Sequence, residues 1–105
     1  MPHIENQKLK CDIAGLVSEI EEVKLSAPRG LSSVLPIVKD INHNNIEISI
    51  DSSGYDIIIN VDVKFGNLIP KVCWDIQEKV KNYLKANDLK YKTIDIKVQG
   101  VIEND

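Results

Sequence analysis

Three stretches of strict two-residue alternation constrain this chain more than anything else in it. Ile46, Ile48 and Ile50 alternate with Glu47, Ser49 and Asp51. After the glycine-containing connection Asp51-Ser52-Ser53-Gly54, Ile57, Ile59, Val61, Val63 and Phe65 alternate with Asp56, Asn60, Asp62 and Lys64. Near the C-terminus, Ile94, Ile96 and Val98 alternate with Asp95, Lys97 and Gln99. A period of two places successive side chains on opposite faces of a strand. The first two stretches read as a hairpin. Each strand has one apolar face, so the sheet they form needs cover on one side only.

Two amphipathic stretches supply that cover. Ile69, Val72, Cys73, Ile76, Val80, Tyr83 and Leu84 step by three and four residues and fill one arc of a helix. Asn67 is positioned near its N-cap, Pro70 suits its first turn, and Asn87-Asp88 ends it. About 17 residues at 1.5 Å each span roughly 26 Å, enough to cross the sheet and return the chain parallel to the preceding strand. Earlier, Leu9, Ile13, Leu16, Val17 and Ile20 form a second helical stripe with Gly15 inside it, where it marks a close helix contact. Val23 to Ala27 reads as a short strand broken by Pro28-Arg29-Gly30, residues 31–41 as a short helix capped by Ser33 or an apolar loop, and Asn42 to Asn45 as a turn. The expected fold class is α+β: a two-layer sandwich with a small mixed sheet (hairpin plus crossover strand) covered on one face by two main helices. On which side of the hairpin the last strand lies stays open.

The 105 residues fit one domain. A net charge of −3 argues against an electrostatic nucleic-acid footprint. No apolar run approaches the ~18 residues of a membrane span, and the start lacks the apolar core of a signal peptide; a cytoplasmic protein with no direct membrane insertion is expected. Cys11 and Cys73 are far from His3 and His43 in sequence, so no zinc pattern exists. Cys11 falls on the outer side of the first helix, and Cys73 on a buried stripe where a thiolate is costly. No catalytic residues, metal or cofactor are indicated. Asp56 and Asp62 share the polar face of one strand with Asn60 and Lys64, and Asp51 ends the neighbouring strand. This is a second candidate surface for a partner, and acidic side chains on a wet sheet face equally need no function.

Trp74 is the anomaly. It lies about 140° from the apolar arc of its helix, among Gln77, Lys81 and Lys85. Either its ring packs over the stems of Gln77, Lys81 or Glu78 or under a terminal segment, or it anchors a contact, since Trp is enriched at interface hot spots. Trp74, Gln77, Lys81 and Lys85 are therefore the candidate partner-binding residues.

The whole pattern from Ile46 to Val101 resembles the alkaline shock protein family, the general-stress or envelope-stress response proteins of Gram-positive bacteria. Phe65-Gly66 stands for the Tyr-Gly that closes the family's hairpin. Ile69, Gln77, Val80, Val98, Gly100 and Val101 match in type and spacing. Residues 12–25 resemble the family's opening helix and turn more loosely. Glu22 replaces a usual Gly, and Asn87-Asp88 replaces a usual Thr-Gly. The resemblance implies a single domain over 1–105 and a non-enzymatic cytoplasmic protein of cell-envelope stress homeostasis. It also implies action by self-association, as a homo-oligomer, or as an adaptor for protein partners, some members being held at the membrane by a separate anchor protein. An RNA-binding adaptor and a small-ligand or metal-binding regulatory domain stand as alternatives.

Overall fold

A computed structural model describes residues 6–26 and 45–103. The elements run α1 (Asn6–Ser18), β1 (Val23–Leu25), β2 (Ile46–Asp51), β3 (Gly54–Lys64), α2 (Ile69–Ala86) and β4 (Tyr91–Ile102). The helix or loop expected over 31–41, most of the 42–45 turn, and His3 and His43 fall outside the described residues.

The sheet is built on β3. On one edge it pairs antiparallel with β2, from Ile46↔Ile59 to Asp51↔Gly54, and then with β1, from Leu25↔Val61 to Val23↔Val63. On the other edge it pairs in parallel with β4 along its whole length. The last strand thus lies beside β3, on the side away from β2 and β1, which settles the strand order that alternation left open. Asn60 is where the first edge changes hands: its N–H donates to the Asn45 carbonyl, while its own carbonyl accepts from the Ser26 N–H.

Alternation sorts β3 cleanly. Tyr55, Ile57, Ile59, Val61 and Val63 are all at most 1% exposed, and they pack beneath Leu9, Ile13, Ala14 and Val17 of α1 and Val72, Ile76, Val80 and Leu84 of α2. The fold is the expected α+β sandwich with a mixed sheet. Phe65 departs from its strand's pattern: the strand ends at Lys64, and Phe65 stands in the following turn, largely exposed. Ile50, at the tip of β2, is also half exposed.

The ends of α2 differ from the expected chemistry. Leu68, not Asn67, is the N-cap and makes no side-chain cap; Asn67 instead donates from Nδ2 to the Lys64 carbonyl, closing the turn around Gly66. The C-terminus is a Schellman motif. Leu89 N–H donates to the Leu84 carbonyl, Asp88 N–H to that of Lys85, and Leu84 and Leu89 are buried together. Asp88 takes the left-handed conformation there, with φ of 56°. A Gly is thus replaced in sequence without its backbone shape being lost. At the hairpin, Gly54 has φ of +128°, and a Cβ there would meet the Lys90 backbone at 2.8 Å. The turn and the start of β4 can approach only because that side chain is missing.

The two helices are joined by Tyr83, whose hydroxyl donates to Asp12 Oδ2, and Lys8 pairs with the same oxygen at 3.0 Å. The Tyr83 bond, then Lys8, hold the Asp12 carboxyl below its usual range. Burial, then the bond to Asp12, push Tyr83 up to about 12.

Two experiments follow from this layer. Gly15 is exposed and a Cβ there meets nothing within 4 Å, so among the described residues the close helix contact expected at that position is not found. Gly15→Ala should raise stability by about 0.5–1 kcal/mol, and Asp88→Gly should do likewise by relieving a left-handed non-glycine residue; denaturant melts read both. The second concerns pH. Asp12, depressed in the fold, stabilises above its unfolded value and loses that contribution as pH falls through its folded one. Tyr83, raised in the fold, stabilises fully below its unfolded value of 10.0 and loses that contribution as pH climbs towards about 12. Tyr83→Phe should cost about 1 kcal/mol at neutral pH and flatten the alkaline limb of a stability–pH curve.

Candidate functional site

The helix carrying Trp74 forms because its apolar residues recur every three or four positions, which leaves a continuous outer face. Trp74, Gln77, Lys81 and Lys85 lie together on that face, at spacings of three and four residues. Gln77 fixes where the face points. Its Nε2 donates to the Ile94 carbonyl of β4 at 2.8 Å, so this flank of α2 overhangs the edge of β4 that faces away from β3. Gln77 is therefore a brace between helix and strand. Lys81 lies 3.3 Å from Glu78, and Lys71 lies 3.1 Å from Asp75. Lys85 is exposed in the last turn, where its charge suits the helix C-terminus. Trp74 is 59% exposed, so packing over neighbouring stems does not bury it.

β4 contributes the second half of this flank. Ile94, Ile96 and Val98 point to the helix side yet are only half buried, because β4 is an outer strand and α2 covers it incompletely. Beyond them lies an apolar end that alternation alone did not single out. Phe65, Leu68 and Val101 are each more than half exposed, and Ile69 is 38% exposed, where β3 and β4 finish and α2 begins. Phe65 is tied to β4 by its N–H, which donates to the Ile102 carbonyl at 2.7 Å. A signal for this end existed in the sequence: the Gly66-Asn67 turn is flanked directly by apolar residues, Phe65 on one side and Leu68 and Ile69 on the other.

The open sheet face gathers Asp56, Asn60, Asp62 and Lys64 as their alternation implies, but much of its polarity is spent internally. β4 carries two irregularities, at Lys92 and at Gln99, where one extra residue enters against β3. Both extra side chains reach over the polar face. Lys92 sits between two carboxylates, 2.5 Å from Asp51 and 3.1 Å from Asp56. Thr93 Oγ1 donates to Asp56 at 2.8 Å, and Gln99 Nε2 donates to Asn60 Oδ1 at 2.8 Å. Thr93 and then Lys92 lower the Asp56 carboxyl, Lys92 lowers that of Asp51, and the two carboxylates raise Lys92. The place a cation would take between Asp51 and Asp56 is filled by an ammonium. Gly100 lies against Asp62, whose Oδ1 is 3.4 Å from where a Cβ would stand.

Cys73 is half buried and burial pushes its thiol up, which favours the unreactive protonated form. Cys11 is exposed on α1. A groove of about 540 Å3 between the end of α1 and α2 is lined by Glu19, Glu21, Glu22, Asp75 and Lys79, and it is open to solvent.

Among known proteins, the model of the alkaline shock protein family, described by a cell envelope-related function, matches residues 7–103. The match thus takes in α1 and β1 as well as the hairpin, α2 and β4. No curated protein and no solved structure gives a significant match.

The exposure of Trp74 makes a direct prediction for stability. Trp74→Ala should shift the unfolding free energy by no more than about 0.5 kcal/mol, as at other surface positions. Ile76→Ala, two residues on and fully buried, should cost about 2–5 kcal/mol. Chemical denaturation of both variants against wild type reads the difference.

Proposed function

Since the chain belongs to the alkaline shock protein family, with its cell envelope-related function, we propose that it works without catalysis, as a scaffold or adaptor that acts in envelope homeostasis by binding other protein chains. The observation that carries this reading is Trp74: a large aromatic, more than half exposed, on a helix face that Gln77 holds rigidly over the outer strand. A bulky apolar group fixed on a braced face is the kind of anchor that dominates protein interfaces. The neighbouring lysines supply a polar rim, and the half-buried Ile94, Ile96 and Val98 supply apolar area beside it. No described helix is long and apolar enough to cross a membrane, and attachment to the membrane through a separate anchor protein is part of the proposal.

Two features weigh against the alternatives. Lys92 fills the gap between Asp51 and Asp56 that a metal-binding regulator would use. The open sheet face mixes Glu47, Asp51, Asp56, Asp62 and Asp95 with Lys24, Lys64, Lys92 and Lys97 and carries no aromatic side chain among the described residues, so it offers RNA neither a net positive strip nor a stacking platform.

The test uses the purified full chain as bait on detergent-solubilised envelope fractions, with wild type and Trp74→Ala compared at equal folding by circular dichroism. A hot-spot truncation should weaken capture of a defined envelope protein by about thirty-fold. Capture that is unchanged in Trp74→Ala would overturn the assignment of this face.

A further inference from the structure

The outer edge of β4 carries a self-complementary code. We propose that two copies of this chain pair edge to edge through β4, antiparallel, about a two-fold axis at Ile96 that runs perpendicular to the sheet. The proposal deepens the association reading above and rests on it.

Backbone geometry comes first. Tyr55 N–H donates to the Lys90 carbonyl and Phe65 N–H to that of Ile102, so the odd-numbered residues of β3 bond to β4. With Ile57↔Ile94, Ile59↔Ile96 and Val61↔Val98 in parallel register, this ladder uses the backbone groups of Asp95 and Lys97. Those of Ile94, Ile96 and Val98 point away from β3, to an edge on which no described strand pairs. The Ile94 carbonyl confirms it, since it accepts from Gln77 on that side. The irregularities at Lys92 and Gln99 bound a regular stretch between them. About an axis at Ile96, Ile96 of each copy forms a hydrogen-bonded pair with its counterpart, and Ile94 pairs with Val98 of the second copy. The Ile94 carbonyl has a second lone pair, so the Gln77 brace and the new strand can be accepted together.

Charge selects the register. In this pairing Asp95 stands directly opposite Lys97 of the second copy, twice by symmetry, in the non-hydrogen-bonded positions where side chains come closest. An axis at Asp95 would set Asp95 against Asp95, and one at Lys97 would set Lys97 against Lys97. A shift by half a step would turn the apolar residues of one copy onto the polar face of the other. The axis at Ile96 alone among these neighbours matches hydrogen bonds, apolar faces and charges.

Packing completes the argument. A two-fold axis perpendicular to the sheet keeps both helical layers on one side, so the two α2 helices lie alongside each other above the joined strands. Trp74, now 59% exposed, and the half-buried Ile94, Ile96 and Val98 come to the seam. The contact is isologous and closed, which yields a dimer and not a filament.

Charge reversal on two exposed positions tests this without touching the core. Asp95→Lys, Lys97→Asp and the double exchange are compared with wild type by light scattering coupled to size exclusion over a concentration series. Each single variant sets like charges opposite each other at two symmetric points and should weaken the dimer about ten-fold or more. The double exchange restores opposite charges and should return the wild-type dimer. Dimerisation that ignores these changes, or single variants whose loss the double exchange does not rescue, overturns the pairing. A wild type that stays monomeric up to about 1 mM while Trp74-dependent capture of an envelope protein persists also overturns it, and leaves the adaptor function standing. Charge-dependent dimers with Trp74-independent capture would do the reverse.

Discussion

Everything in this structure hangs on β3. It is the one strand that bonds to every other strand, and its odd-numbered side chains are the floor on which both helices rest. Its backbone is spent in full, with even-numbered residues serving β1 and β2 and odd-numbered ones serving β4. A polar substitution at Ile57, Ile59 or Val61 would therefore damage the core and the centre of the ladder together. The rest of the molecule is arranged around keeping that strand paired on two edges and dry on one face.

The same arrangement explains why the functional surface lies where it does. β3 has both edges occupied, so among the described residues the outer edges of the sheet fall to β1 and β2 on one side and to β4 on the other. An outer strand of twelve residues is a hazard unless it is covered, charged or paired. Here α2 covers its apolar face partly, Gln77 takes one of its outward carbonyls, and Asp95 and Lys97 set which neighbour it tolerates. Trp74 sits beside that edge because the residue three positions on reaches the strand. Association at this flank and the strand order of the sheet are thus one problem with one solution.

The polar face shows how a cluster of candidate site residues can turn out to be mainly structural. Asp56 and Asn60 look available in sequence, since nothing in their own strand satisfies them. In the fold they receive Thr93, Lys92 and Gln99 from β4, and two of these three are the extra residues of its irregularities. The irregularities also correct the facing of β4: without the step at Gln99, Gly100 and not Val101 would point to the helix side. Alternation over 94–98 was legible. The phase change at 99 was not, because an inserted residue reads like any other polar residue until its partner strand is known.

The sequence by itself determined the elements, their inward faces and the fold class. The period of two in β2, β3 and β4, and of three to four in α1 and α2, is a property of neighbouring residues and survives any arrangement of the elements. It also placed Trp74 off the apolar arc. The wrong expectations were those that depended on what lies across space: Gly15 touches no other described helix, Asn67 closes a turn and does not cap, and Phe65 is largely exposed. Gln77 as a brace, Lys92 as the plug between two carboxylates, and β4 as an outer strand among the described residues were decided only by tertiary structure. The physical reason is that burial and hydrogen-bond partnership are set between segments distant in the chain, whereas periodicity is written within one.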